Sequence, residues 1–239
     1  MIKLDGPFPN LIFNDEVIHI TLLSFQISCT AVALATLMSL PLGIILGLKE
    51  FRGKQLILSI VNTLMGLPPV VVGLILYLLL STSGPFGPLN LLYTPSAMIL
   101  AQLIMAVPIV IGLSYSAIAS IPLRVIEQTI SLGATKYQLF TVLLKETRIG
   151  ILASIVAAFG GAISEVGAIM IVGGNIRYYT RTLTTAILLY TSMGEFDVAL
   201  TLGTILLVTA FLINIFLTFL QSRQNTTSRK KFRRLKFGD

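Results

Sequence analysis

Charge is what this sequence has least of. Asp, Glu, Lys and Arg make up 11% of its 239 residues, where a water-soluble domain carries about 25%. So few charges cannot coat a globule of this length in water, and lipid is the expected solvent for much of its surface. Cysteine and histidine are nearly missing as well, with Cys29 and His19 the only ones. One cysteine excludes an internal disulfide framework and a cysteine-cluster metal site. One histidine closes most routes to imidazole catalysis or metal ligation. No Gly-x-x-x-x-Gly-Lys-Ser/Thr run occurs, so the chain is not expected to bind ATP itself. An enzyme is not expected on these grounds, and neither a catalytic residue nor a metal ligand is assigned.

What is present is apolar: 55% of the residues are hydrophobic and the mean hydropathy is +0.91. A helix needs about 20 apolar residues to cross a bilayer core. Residues 20–48, 56–80, 95–119, 151–172 and 198–220 qualify, and together they hold one formal charge, Glu165. The expected fold class is therefore all-α, a polytopic membrane protein with about five transmembrane helices. Residues 1–220 read as one transmembrane domain and 221–239 as a basic tail. Residues 81–94 form a loop punctuated by glycine and proline, 123–150 is polar enough to leave the membrane, and 173–197 is mixed enough to dip partly into it. The start of the chain does not read as a secretory signal. Lys3 stands against Asp5, Asp15 and Glu16, and the apolar run that follows is too long.

The net charge of +7 would suggest nucleic acid in a soluble protein, but its distribution points to topology. Alternate connections fall on opposite sides of the membrane. Residues 49–55, 120–150 and 221–239 hold fourteen of the seventeen basic residues, and Lys3, Arg177 and Arg181 are the rest. The positive-inside rule then puts the N-terminus outside and the C-terminus in the cytoplasm. The basic tail reads as an anchor near anionic headgroups, so membrane lipid is an expected partner and nucleic acid is not; a regulatory arm is the other reading.

Pro41, Pro68, Pro69 and Pro108 lie inside apolar runs, where each removes a backbone hydrogen bond. Gly43 and Gly47, four apart, share a helix face suited to close packing. Ala153, Ala157, Gly160, Gly161, Ala162 and Gly167 make the fourth span small-sided, which predicts close helix contacts.

The connection near 120–150 is the most informative. Pro122 suits a first helical turn, Glu127 follows, and Gly133 is placed for a left-handed stop. Ala134 then leads to Thr135, which with Gln138 makes a capping box for a second helix. Val125, Ile126, Thr129, Ile130 and Leu132 give the first helix apolar surface outside the bilayer, which needs a partner protein or the headgroup layer.

Glu127-x-x-x-x-x-Gly133 before a hydrophobic segment resembles the EAA loop of ABC importer permeases, with Gln128 and Thr129 where alanines are usual. Residues 67–74, 159–168 and 172–187 are similar to motifs of the molybdate/tungstate/sulfate branch, and residues 172–176 with 180–187 look most like the tungstate-type permeases. The resemblance covers essentially the whole chain. It implies the ABC importer permease fold and an ATP-driven importer of a small oxyanion, tungstate first, then molybdate or sulfate. It implies that Glu127, Gly133, Ala134 and Thr135 form the ATPase-coupling loop. It also implies a homodimer with a second copy of the chain, two ATP-binding subunits that carry ATP and Mg, and an extracytoplasmic substrate-binding protein.

Two rivals differ in chemistry. An ion-driven secondary carrier would use a buried acid such as Glu165, but would leave the loop without a purpose. An intramembrane enzyme needs a catalytic set that one histidine and one buried acid do not supply. Near the outer mouth, Gly173, Gly174, Asn175, Arg177 and Arg181 are the candidate pathway or gate residues, with Glu165. Three roles compete for Glu165: substrate contact, proton carrier, or a gate lock. The lock would pair it with Arg177 or Arg181, or have it accept hydrogen bonds at Gly173 and Gly174.

Overall fold

The structure, a computed structural model, describes residues 15–213 and 215. Lys3, the end of the expected fifth span and the basic tail 221–239 lie outside the described residues. All regular structure among the described residues is helical. The helices are α1 Asp15–Leu48, α2 Lys54–Met65, α3 Pro69–Leu80, α4 Pro95–Ala119, α5 Leu123–Ser131, α6 Lys136–Ser164, α7 Gly167–Gly173 and α8 Leu183–Ser192, then α9 Phe196–Ile213. A 3-10 turn, Gly87–Leu89, interrupts the loop between α3 and α4. Helices α1, α4, the apolar part of α6 (Tyr137–Ser164) and α9 are long and apolar enough to cross a membrane. A fifth crossing is present if the bent pair α2–α3 counts as one span.

The second span is not the single helix expected. It breaks between Met65 and Pro69, and the two halves meet at 96°. Leu67 and Pro68 each precede a proline, which pushes both out of the helical region. Pro68 is extended at φ −62 and ψ 124, and Pro69 restarts the helix at its first position, where its missing N–H costs nothing. Pro41 and Pro108, in contrast, sit inside unbroken helices.

α4 is the hub, with α1, α2, α3, α6 and α7 packed around it. Thr94 caps its start by accepting from Ala97 N–H. Toward the outer end, Leu23, Ile27, Val72, Leu76, Met98 and Ala168 form one core cluster. Deeper in, Val32, Ala35, Ala106, Val110, Ala158 and Ala162 form a second. Gly43 and Gly47 do share the face that meets α4. A Cβ on Gly47 would lie 2.6 Å from Ile118 Cγ2 and 2.8 Å from its Cβ. Ile118 is β-branched and stiff, so Gly47→Ala is expected to lose about 1–3 kcal/mol to overpacking. Thermal unfolding in detergent checks this, and an unchanged or raised midpoint contradicts the packing.

The fourth span also departs from expectation. The second loop helix and the fourth span are one helix, α6, 29 residues long and about 43 Å at 1.5 Å per residue. It ends at Ser164 rather than running on to 172. Ser164 Oγ donates back to the carbonyls of Gly160 and Gly161, a contact that bends helices, and glycines weaken the helix there. Of the small residues of the expected span, Ala162 packs in the second core cluster and a Cβ on Gly167 would lie 2.9 Å from Val70 Cγ2, while Ala153, Ala157, Gly160 and Gly161 are exposed. A Cβ on Gly160 would meet nothing within 4 Å, and one on Gly161 only Ile109 Cδ1 at 3.8 Å. The segment 173–197 holds α8, ten residues and about 15 Å long. That is too short to span, and it packs on Val17 and Ile20 of α1 and Leu202 of α9.

Candidate functional site

Two places collect the candidate residues. The first is the connection from α4 to α6. α5 has no buried residue. Its end is fixed by two backbone bonds, Gly133 N–H to Ile130 O and Ala134 N–H to Thr129 O, the paired pattern of a Schellman stop. Gly133 takes φ +76. Thr135 and Gln138 then cap α6 reciprocally: Gln138 N–H donates to Thr135 Oγ1, and Thr135 N–H donates to Gln138 Oε1. Helix, glycine corner and helix therefore stand as the spacing predicts. Leu132 is 87% exposed, Tyr137 78% and Leu123 73%. Glu127 is exposed and has no ion pair among the described residues. This is apolar surface beside an acid with no ion pair, and no described residue covers it.

The second place lies at the other end of the molecule, where α6 breaks and the 173–182 loop folds. Glu165 closes α6. Its Oε1 accepts from Ala168 N–H at 3.0 Å and so caps the start of α7. Its carbonyl accepts from Thr184 Oγ1 at 2.7 Å. From α4, Gln102 Nε2 donates to Ala162 O at 2.7 Å. α7 then runs to Gly173, where a Cβ would lie 2.8 Å from Met98 Sδ and so clash with it. Gly174 (φ +68) and Asn175 (φ 51) turn the chain in the left-handed region. Thr180 Oγ1 accepts from Ile176 N–H and donates to Gly173 O, and Arg181 N–H donates to Ile176 O. This tight loop brings Arg177 and Arg181 together.

Their partner is not Glu165. Both arginines reach Glu16 in the first turn of α1. Arg177 Nε and Nη2 donate to Glu16 Oε2 at 3.0 and 2.6 Å. Arg181 Nη1 donates to Glu16 Oε1 at 2.8 Å, and Tyr190 Oη donates to the same oxygen at 3.3 Å. The guanidinium carbon of Arg177 also lies 5.1 Å from the Tyr178 ring centroid, within cation–π range. Hydrogen bonding to the Glu16 carboxylate, with its charge, holds the Arg177 guanidinium above the ordinary arginine range. The lock proposed for Glu165 through Arg177, Arg181, Gly173 or Gly174 is therefore corrected: Glu165 caps a helix, and Glu16 takes the arginines. Sequence reasoning missed Glu16 because it lies at the edge of an apolar run. Its one signal was an acid in the first turn of the first span, level with the only outer arginines once the spans are threaded.

Comparison with known proteins places this geometry. Residues 39–227 match the family described as binding-protein-dependent transport system inner membrane component. A probable anion ABC transporter permease protein of Haloferax volcanii is 41% identical over 203 residues, covering 83% of this chain and 88% of its own. The tungstate uptake system permease protein TupB of Peptoclostridium acidaminophilum is 42% identical over 209 residues, covering 87% and 92%. A crystal structure of a bacterial alginate ABC transporter, in complex with its alginate pentasaccharide-bound periplasmic protein, matches with TM-score 0.76 at 20% identity. That match covers 93% of this chain and 83% of the other, and it shows the fold. An all-helical chain with four long spans and one bent pair, whose helix–glycine–helix loop stands clear of the core, belongs to the binding-protein-dependent transport system inner membrane components and is a multi-pass permease subunit of an ABC importer.

Proposed function

We propose that this permease passes a small oxyanion, tungstate in the first place, as a homodimer docked on two ATP-binding subunits and fed by an extracytoplasmic binding protein. The observation that carries the coupling part is the exposed loop. Leu123, Leu132 and Tyr137 stay in water in the isolated chain, beside the carboxylate of Glu127. Apolar surface of this kind is stable only against a partner. The homodimer reading draws on the uncovered small side of α6, where Ala153, Ala157, Gly160 and Gly161 are exposed. Small residues let two helix backbones approach closely in lipid. The tungstate part draws on the two anion-transporter relatives above 40% identity. Molybdate and sulfate share the tetrahedral dianion chemistry and are the next candidates.

The deciding experiment is ATP hydrolysis by the reconstituted complex. The binding protein is supplied with tungstate, molybdate, sulfate or chloride in turn. Tungstate is expected to stimulate hydrolysis several-fold over chloride at the lowest concentration. Equal rates with all four would remove the oxyanion reading. Hydrolysis that never depends on this chain would remove the coupling reading.

A further inference from the structure

We propose that Arg177 and Arg181 form a cradle for a tetrahedral oxyanion, and that the Glu16 carboxylate is a built-in ligand which the arriving anion displaces. The geometry is that of an anion site already filled. Donors from three side chains converge on one carboxylate, with Arg177 on Oε2 and Arg181 and Tyr190 on Oε1. Among the described residues the charge does not cancel, since two guanidinium groups face one carboxylate. Asp15, Glu195 and Asp197 form no ion pair with either arginine. The donors are not used up, since Arg181 Nε is buried without a partner. A carboxylate has two oxygens and one charge. A tetrahedral dianion brings four oxygens and two charges, and so suits the surplus donor and the surplus charge together.

Access is graded in the direction displacement needs. The Arg177 side chain is 61% exposed, Arg181 12% and Glu16 8%. An anion from solvent meets Arg177 first. Because each arginine holds a different oxygen of Glu16, Arg177 can be captured while Arg181 still holds the carboxylate. Glu16 is therefore never stranded as a buried charge without a counter-ion during the exchange. The exchange also removes the ion pairs that tie the 173–182 loop to α1 across 161 and 165 residues of chain, leaving the edge contact of Tyr178 on His19. That the free anion is the transported one rests on the function proposed above; the cradle itself does not.

The test uses the full chain in phosphatidylcholine nanodiscs at constant ionic strength. Glu16→Gln is expected to lower the thermal midpoint. Sodium tungstate or sulfate, but not chloride, should then raise the midpoint of Glu16→Gln saturably, by about 4 °C or more. The parent should move much less, and Glu16→Gln with Arg181→Gln not at all. A phosphate could instead come from a lipid headgroup. Discs containing phosphatidylglycerol, without added oxyanion, supply that arm, and a rise only there assigns the cradle to lipid. No rise in either arm overturns the proposal. If Glu16→Gln does not fold, calorimetry of the parent with millimolar tungstate replaces it. Weak saturable binding, reduced at least ~10-fold in Arg177→Gln, is expected, and its absence from the parent overturns the cradle. Tungstate uptake by the whole transporter is scored separately. Rescue without uptake leaves the cradle standing and removes the cargo, and uptake without rescue does the reverse.

Discussion

Gly133→Val is expected to leave the chain inserted in the membrane and to remove most of its transport. The residue holds φ +76, and a Cβ there would meet nothing within 4 Å. The penalty is therefore purely conformational. A β-branched residue in the left-handed region costs about 1–3 kcal/mol. Nothing in the core absorbs that cost, because α5 has no buried residue. The corner opens locally and the transmembrane helices stay packed. A penalty of that size shifts a two-state loop by a factor of roughly 5–150. Gly133→Asn is the control, since asparagine tolerates the same backbone at little cost. Uptake and ATP hydrolysis by the assembled complex are the readouts. Normal transport by the valine variant would end the assignment of this loop to the ATPase, whatever its shape.

The parts of this molecule that were legible in the sequence are those that local chemistry decides. The third span was bounded correctly at both ends because Thr94 and Pro95 start a helix and nothing inside stops it. The Gly133 corner and the Thr135–Gln138 box were legible because each closes within a few residues. The 96° break at Leu67–Pro68 was visible as two prolines, but the same residue lies unbroken inside α1 and α4. Local sequence does not distinguish a tolerated proline from a breaking one, since neighbouring helices decide which backbone groups are rescued. The end of α6 at Ser164 has no proline to mark it. It is fixed by Gln102, 60 residues away, and by Thr184, 19 residues on. The Glu16 cluster is the extreme case. Counting basic residues singled out the arginines but not Glu16, because pairing across the whole chain is set by how α1 lies against the 173–182 loop. The one charge inside an apolar run, Glu165, drew the pairing to itself because periodicity weighs burial and is blind to distance.

Glu165→Ala is expected to disturb the coupling of ATP hydrolysis to the binding protein, and Glu165→Gln to leave much of it intact. The side chain holds the α6–α7 break from within, by accepting Ala168 N–H at 3.0 Å. Ala168 is fully buried. Alanine at 165 therefore strands a buried N–H, which costs about 1–3 kcal/mol. Gln102 and Thr184 still grip the backbone on either side, so the break loosens without unfolding. Glutamine keeps an acceptor oxygen at the same reach, so its stability should sit near the parent's. The competing roles separate on the same two variants. A proton carrier would fail equally with Gln and Ala, because neither titrates. A substrate contact would change the apparent affinity for the anion and leave the thermal midpoint alone. The cap role lowers the midpoint of the alanine variant and raises its ATP hydrolysis in the absence of binding protein, with glutamine close to the parent in both. If both variants melt, transport and hydrolyse ATP like the parent, the break is held by Gln102 and Thr184 without help, and Glu165 is a tolerated polar residue.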